Sequence, residues 1–178
     1  MIAATATPTI TRPTSDEHSA FYGRYIERVP EGDIVSVLRE QIAATSALLR
    51  AVPAERADFA YGPGKWTIKQ VVGHLIDVER VMSYRALRFS HNDVTELPGF
   101  DENAWVVNSD FAERTLPDLV DEYAAVRAAT IHFAKHVSAD ASMRRGTANG
   151  QGLTVRALLY IIAGHELHHG ALLRERYL

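Results

Sequence analysis

The chain has 178 residues, 47% hydrophobic and 23% charged, with a net charge of −3; that is enough for one domain with a sizeable core, and the mixed, slightly acidic charge excludes the basic face a nucleic-acid partner requires. No apolar run reaches the roughly 18 residues of a membrane-spanning helix. Cysteine is absent, which excludes disulfides, thiolate metal ligands, iron–sulfur clusters and a cysteine nucleophile, so any thiol chemistry must use a thiol carried on a small molecule.

Residues 1–16 are rich in Ala, Thr and Pro, have no basic residue before Arg12 and contain Pro8. They lack the apolar stretch of a signal peptide and read as a disordered tail. The expectation is a folded domain over 17–178 and a cytoplasmic location. Glu17 to Val29 carries Phe21, Tyr22, Tyr25 and Ile26 and is expected to be a short helical or irregular segment packed on the main body. After the turn Pro30-Glu31-Gly32-Asp33, Asp33 can cap a first long helix. Val37, Leu38, Ile42, Leu48 and Leu49 recur in it at helical spacing, and it ends near Pro53.

Tyr61 to Trp66 reads as a loop. Thr67 and Gln70 have the spacing of a capping box and open a second helix running to about Ser90. Its stripe is Val71, His74, Val78, Val81 and Arg85. The stretch from His91 to Asp110 is longer than a plain linker, with a short helix expected near Glu102 to Val107. Its aromatics, Phe100 and Trp105, fit either a lid over a site or filler at the end of the core. Thr115 and Pro117 open a third helix, with Leu119, Tyr123, Val126, Thr130, Phe133 and Val137 along its inner stripe. Residues 138–153, with Gly146, Gly150 and Gly152, are expected to be a loop. Thr154 caps a fourth helix to about Tyr177, whose inner stripe is Leu158, Ile162, His165, His169 and Leu172. Four such helices, each with one apolar stripe, make an all-α four-helix bundle.

The chemistry concentrates in the histidines. His165 and His169 are four apart and share a helix face, and His74 lies on the inner stripe of another helix. A buried imidazole left without partners is costly, and three pointing into one bundle are satisfied together by a divalent metal. Asp77, one turn from His74, is a candidate carboxylate behind the metal ligands, with an ordinary polar role at the stripe edge equally open. His168 is one position off the stripe and is expected to face solvent or a partner. His165-Glu166-Leu167-His168-His169 also matches H-E-x-x-H, in which the glutamate is a general base. Only nine residues follow His169, however, and Leu172 and Glu175 stand where the extended motif needs Gly and His. Glu166 therefore receives no catalytic role.

Gly64 through Arg80, Leu97-Pro98-Gly99-Phe100-Asp101-Glu102-Asn103-Ala104-Trp105 and the closing Gly164 through His169 resemble segments of the DinB/YfiT-like superfamily. The resemblance covers about Tyr25 to Leu178. It implies a four-helix bundle with a long crossover connection, usually dimeric, so a homodimer is expected. It also implies a metal triad of one His on the second helix and an H-x-x-x-H pair on the fourth, positions held here by His74, His165 and His169. Characterised members of that family include thiol-dependent S-transferases and isomerases using bacillithiol, mycothiol or glutathione, and others described only as metal-dependent hydrolases. The implied partners are a small-molecule thiol such as bacillithiol and an electrophilic substrate.

Three imidazoles on one divalent ion leave positions open, as in catalytic sites. Zinc or nickel heads the candidates, and iron and manganese also suit such ligands. The expected function is thiol transfer activated by the metal. A hydrolase in which the metal activates water, and a metal- or thiol-binding module without turnover, are the alternatives. Arg85 and Arg88, on roughly the same face as His74, are candidates to bind a carboxylate of thiol or substrate, with a solvated or salt-bridged helix end as the other reading. Trp105, Phe100 and Asn103 are candidates to line the pocket.

Overall fold

The computed structural model describes residues 10–178. In chain order the elements are α1 (Ala20–Ile26), α2 (Ile34–Arg50), α3 (Ile68–Ser90), α4 (Glu102–Val107), α5 (Leu116–His136), α6 (Ala139–Met143), β1 (Arg145–Ala148), β2 (Gln151–Thr154) and α7 (Val155–Arg176). The long helices begin where capping chemistry places them. Asp33 accepts from the Ser36 amide, Thr67 and Gln70 close a reciprocal capping box, and Thr115 and Thr154 accept from Asp118 and Ala157. Each such cap satisfies an otherwise orphaned helix donor and contributes about 1 kcal/mol.

The four long helices form the expected bundle. α2 packs on α5 and α7, and α3 packs on the same two helices, so α2 and α3 stand at opposite corners. Residues 51–67 and 137–154 therefore cross an end of the bundle rather than join neighbours. At its centre the Arg127 guanidinium on α5 reaches the other three helices at once. It donates to both Glu79 oxygens on α3 (2.8 and 2.7 Å), to Glu166 Oε2 on α7 (2.6 Å) and to the Leu38 carbonyl on α2 (3.2 Å).

α7 departs from the single-stripe expectation: every residue from Val155 to Glu166 is buried. A helix buried on all sides belongs at the centre of its fold, and α7 is covered by α1, α2 and α3 together with the β-hairpin and α6. The α1 backbone comes so close that a Cβ on Gly164 would lie 2.0 Å from the Tyr25 carbonyl oxygen. Only glycine allows this crossing, and the crossing brings Tyr25 over the histidines of α7.

The stretch 138–153 is not a plain loop. It holds α6 and an antiparallel hairpin with Ala148 opposite Gln151. Asn149 and Gly150 both have positive φ, 51° and 69°, as a two-residue hairpin turn of the I′ type requires. Strands of four residues give too little alternation to stand out from their glycines, but the Asn-Gly pair is the signal that identifies them.

The expected tail over 1–16 is also revised. Residues 1–9 lie outside the described residues, but Ile10 is buried. Arg12 donates to the Ile26 and Val29 carbonyls at 2.8 and 2.6 Å. The buried Glu17 accepts from the Arg156 guanidinium and from the Thr154 hydroxyl (2.7 Å). Burial alone would push the Glu17 carboxyl up; the bonds from Arg156, Thr14 and Thr154 override it and bring it down to about 2 from 4.5. A depressed carboxyl pKa contributes stability that is complete above the unfolded value and is lost as pH falls from about 4.5 towards 2. In acid titrations followed by urea melts, Glu17→Gln should therefore be less stable than the parent at pH 7 and converge on it near pH 2.

Candidate metal centre

α3 and α7 bring the three histidines together. His74 Nε2 is 3.1 Å from His165 Nε2, and His169 Nε2 is 3.2 Å from the same atom. One ring nitrogen from each of the three lies within 4.8 Å of the others, and all three side chains are buried. Burial, followed by the mutual repulsion of the imidazoles, pushes His165 well below the usual value. The same burial brings His74 to about 4 and His169 to about 3. All three are thus neutral at pH 7, the form that ligates a metal.

The donor set fits a divalent ion. Three Nε2 atoms facing one another cannot satisfy each other, since His165 Nε2 has two neighbours and either one proton or one lone pair to offer. Ligands at about 2.0–2.1 Å from one tetrahedral ion sit about 3.3 Å apart, close to the observed 3.1 and 3.2 Å. His169 Nδ1 is buried without a hydrogen-bond partner. Asp77 makes no hydrogen bond to the three histidines among the described residues. Burial pushes its carboxyl up, and its charged neighbours are Arg80, Glu122 and Asp110.

The histidines line a cavity of about 420 Å³. The Trp66 ring lies 4.7 Å from the His74 ring, and Tyr25 stands edge-on to His165 and His168 at 5.5 Å. Of the residues proposed from sequence, Arg85 and Phe100 reach this cavity. Arg88 does not: it is paired with Asp93 and Tyr84. Trp105 packs against Phe100, 4.6 Å between centroids with the rings tilted by 36°, and lines a smaller neighbouring cleft instead. Asn103 is exposed. The segment before α4 is bonded to the outer edge of the hairpin: the Leu97 amide donates to the Thr147 carbonyl, and the Leu97 carbonyl accepts from the Asn149 amide.

His168 was expected to face solvent or a partner, yet it is half-buried on the cavity wall. Sequence reasoning also missed Tyr22, Tyr25, Trp66 and Asn149. A short helix with three aromatics and no core of its own was the available sign for the two tyrosines; nothing marked Asn149 except its turn. Glu166, the glutamate of the H-E-x-x-H match, makes no hydrogen bond to the three histidines among the described residues. It lies in the bundle core on Arg127.

The fold and the site together define a class: a helical bundle holding three converging histidines beneath an open cavity. The chain belongs to the DinB superfamily, whose family model matches residues 38–173. No protein of curated function matches in sequence. Among solved structures the fold is similar to that of YfiT from Bacillus subtilis, with a TM-score of 0.68, 19% identity and 92% of each chain covered. That protein is described as a probable metal-dependent hydrolase with an unusual four-helix bundle topology. Among the described residues no helix is long and apolar enough to cross a membrane.

Proposed function

We propose that this chain is a metal-dependent enzyme that transfers a small-molecule thiol to an electrophilic substrate. The carrying observation is that three buried, neutral imidazoles converge on the cavity rather than into closed core. Three protein ligands leave room for a ligand from solution. Zinc or nickel is the proposed ion, held by His74, His165 and His169. When bound, it supplies Lewis-acid activation, which makes a thiol or a water nucleophilic at neutral pH.

The chain's own residues hold and shield the reacting groups. Trp66 and Tyr25 pack on the histidine rings and keep bulk water from their flanks. No carboxylate hydrogen-bonds the three histidines among the described residues: Glu166 accepts from Arg127, and Asp77 lies among Arg80, Glu122 and Asp110. That favours a thiol, which a metal deprotonates outright on coordination. The absence of cysteine requires the thiol to be a separate molecule. Hydrolysis is the second reading, favoured by the description of the Bacillus subtilis structure.

Steady-state turnover of an electrophile panel including haloaromatics, with zinc-loaded protein and with or without millimolar bacillithiol or glutathione, tests the choice. Turnover that requires the thiol is expected. Equal rates without thiol would replace transfer with hydrolysis, and no turnover in either arm would leave a binding module.

A further inference from the structure

We infer that Arg85 is the recognition site for an anionic group, a carboxylate by the shape of its fork, at the far end of an elongated small-molecule ligand whose other end reaches the histidine centre. This rests on the metal-centre reading above and adds a substrate class to it. Among the described residues four cationic side chains are buried: Lys69, Arg85, Arg127 and Arg156. Three of them have a carboxylate partner: Lys69 has Asp58, Arg127 has Glu79 and Glu166, and Arg156 has Glu17. Arg85 pairs with none among the described residues, although it is only 2% exposed. It donates to the Pro98 carbonyl at 2.8 Å and to the Met82 sulfur at 3.7 Å, and the Tyr22 hydroxyl is its remaining polar partner; all three are neutral. A guanidinium carries five N–H donors and cannot shed its charge, so a buried one without a counter-ion is costly unless a ligand supplies it.

Position supports the same conclusion. Arg85 lines the same cavity as the three histidines. The cavity's one carboxylate among the described residues, Glu102, sits on the exposed first turn of α4 and makes no ion pair with Arg85. Phe100, 6.0 Å from the guanidinium carbon, and Tyr22 close the site beside it. Eleven residues separate His74 from Arg85 on α3, a rise of roughly 16 Å at 1.5 Å per residue. Helical side chains lean towards the N-terminus, and the contact with Met82, one turn back, shows that Arg85 does so. His74 leans the same way on the same helix, so the guanidinium stands from the His74 ring at a distance close to that rise, roughly 15 Å. A ligand bridging the two is an extended molecule with a metal-seeking atom at one end and a carboxylate at the other.

Zinc-loaded protein titrated calorimetrically with a series of alkyl hydroxamates tests this. Each hydroxamate carries either a terminal carboxylate or a neutral terminal amide, across a range of methylene spacers. At the spacing that fits, the carboxylate form is expected to bind the parent at least about tenfold more tightly than the amide form, the value of a good charge-assisted bond. Arg85→Met should erase that preference, bringing the carboxylate-tailed affinity to that of the amide-tailed form or below it. Equal affinities for both tails at every length in the parent protein would overturn the inference alone, without recourse to a variant. Failure of every hydroxamate to bind would overturn the metal centre and this inference with it.

Discussion

Replacing His165 with alanine is expected to empty the metal centre. His165 Nε2 is the atom both other histidines approach, at 3.1 and 3.2 Å. Without it only two ligands remain, His74 on α3 and His169 on α7. Loss of hydrogen-bonding groups behind metal ligands already costs 10–100-fold in affinity, so loss of a direct ligand should cost at least about 100-fold. After dialysis against equimolar zinc, elemental analysis should find about one ion per parent chain and almost none in His165→Ala. Thermal melts give an independent reading. An ion that binds only the folded state stabilises by about 4 kcal/mol at a thousandfold excess over its Kd, so added zinc should raise the parent's Tm and not the variant's. His168→Ala, which changes a cavity-wall residue outside the triad, should retain its zinc. Equal metal in the parent and His165→Ala would remove the triad from the account.

How legible this centre was depended on which forces encode it. The four helix starts were readable because Asp33, Thr67, Thr115 and Thr154 act on amides three residues away. The triad was readable because helical periodicity puts His165 above His169, and because His74 falls on an apolar stripe. What periodicity cannot show is which stripe faces which. Arg85 and Arg88 are three apart on one helix, yet Arg85 enters the cavity while Arg88 is captured by Asp93 at the helix end. The side on which His168 would fall was hidden too, because α1 lies across α7 at Gly164 and encloses a face that would otherwise be solvent. Residues 10–17 carry a tail's composition, but their order comes from two arginines. Arg12 reaches the carbonyls after α1, and Arg156, some 139 residues from Glu17, anchors that carboxylate. Pairings that distant leave no local pattern.

Glu166 shows the same limit from the other side. Its motif neighbours suggest a catalytic base, but its physical role lies in the ion cluster with Arg127, and that role predicts the largest loss of stability in the molecule. Arg127, Glu79 and Glu166 are 0%, 3% and 2% exposed. Arg127→Met would leave two buried carboxylates facing each other across α3 and α7 without their cation. Removing one partner of a buried pair costs about 3–5 kcal/mol; here two acids lose theirs, and the four-helix link through the Leu38 carbonyl goes as well. A loss of about 4 kcal/mol or more in urea denaturation is expected, a large part of a typical domain stability of about 5–15 kcal/mol. Well-packed apolar replacements of a whole buried ion cluster are often neutral or stabilising. The triple variant Arg127→Met, Glu79→Met, Glu166→Met should therefore be clearly more stable than the single one. Zinc uptake should follow stability rather than the presence of Glu166, because Glu166 takes no direct part at the metal. A single variant within about 1 kcal/mol of the parent would show that water or a rearranged side chain compensates the acids and that the cluster is not what pins the four helices. A stable triple variant that nonetheless fails to bind zinc would instead return Glu166 to the metal centre.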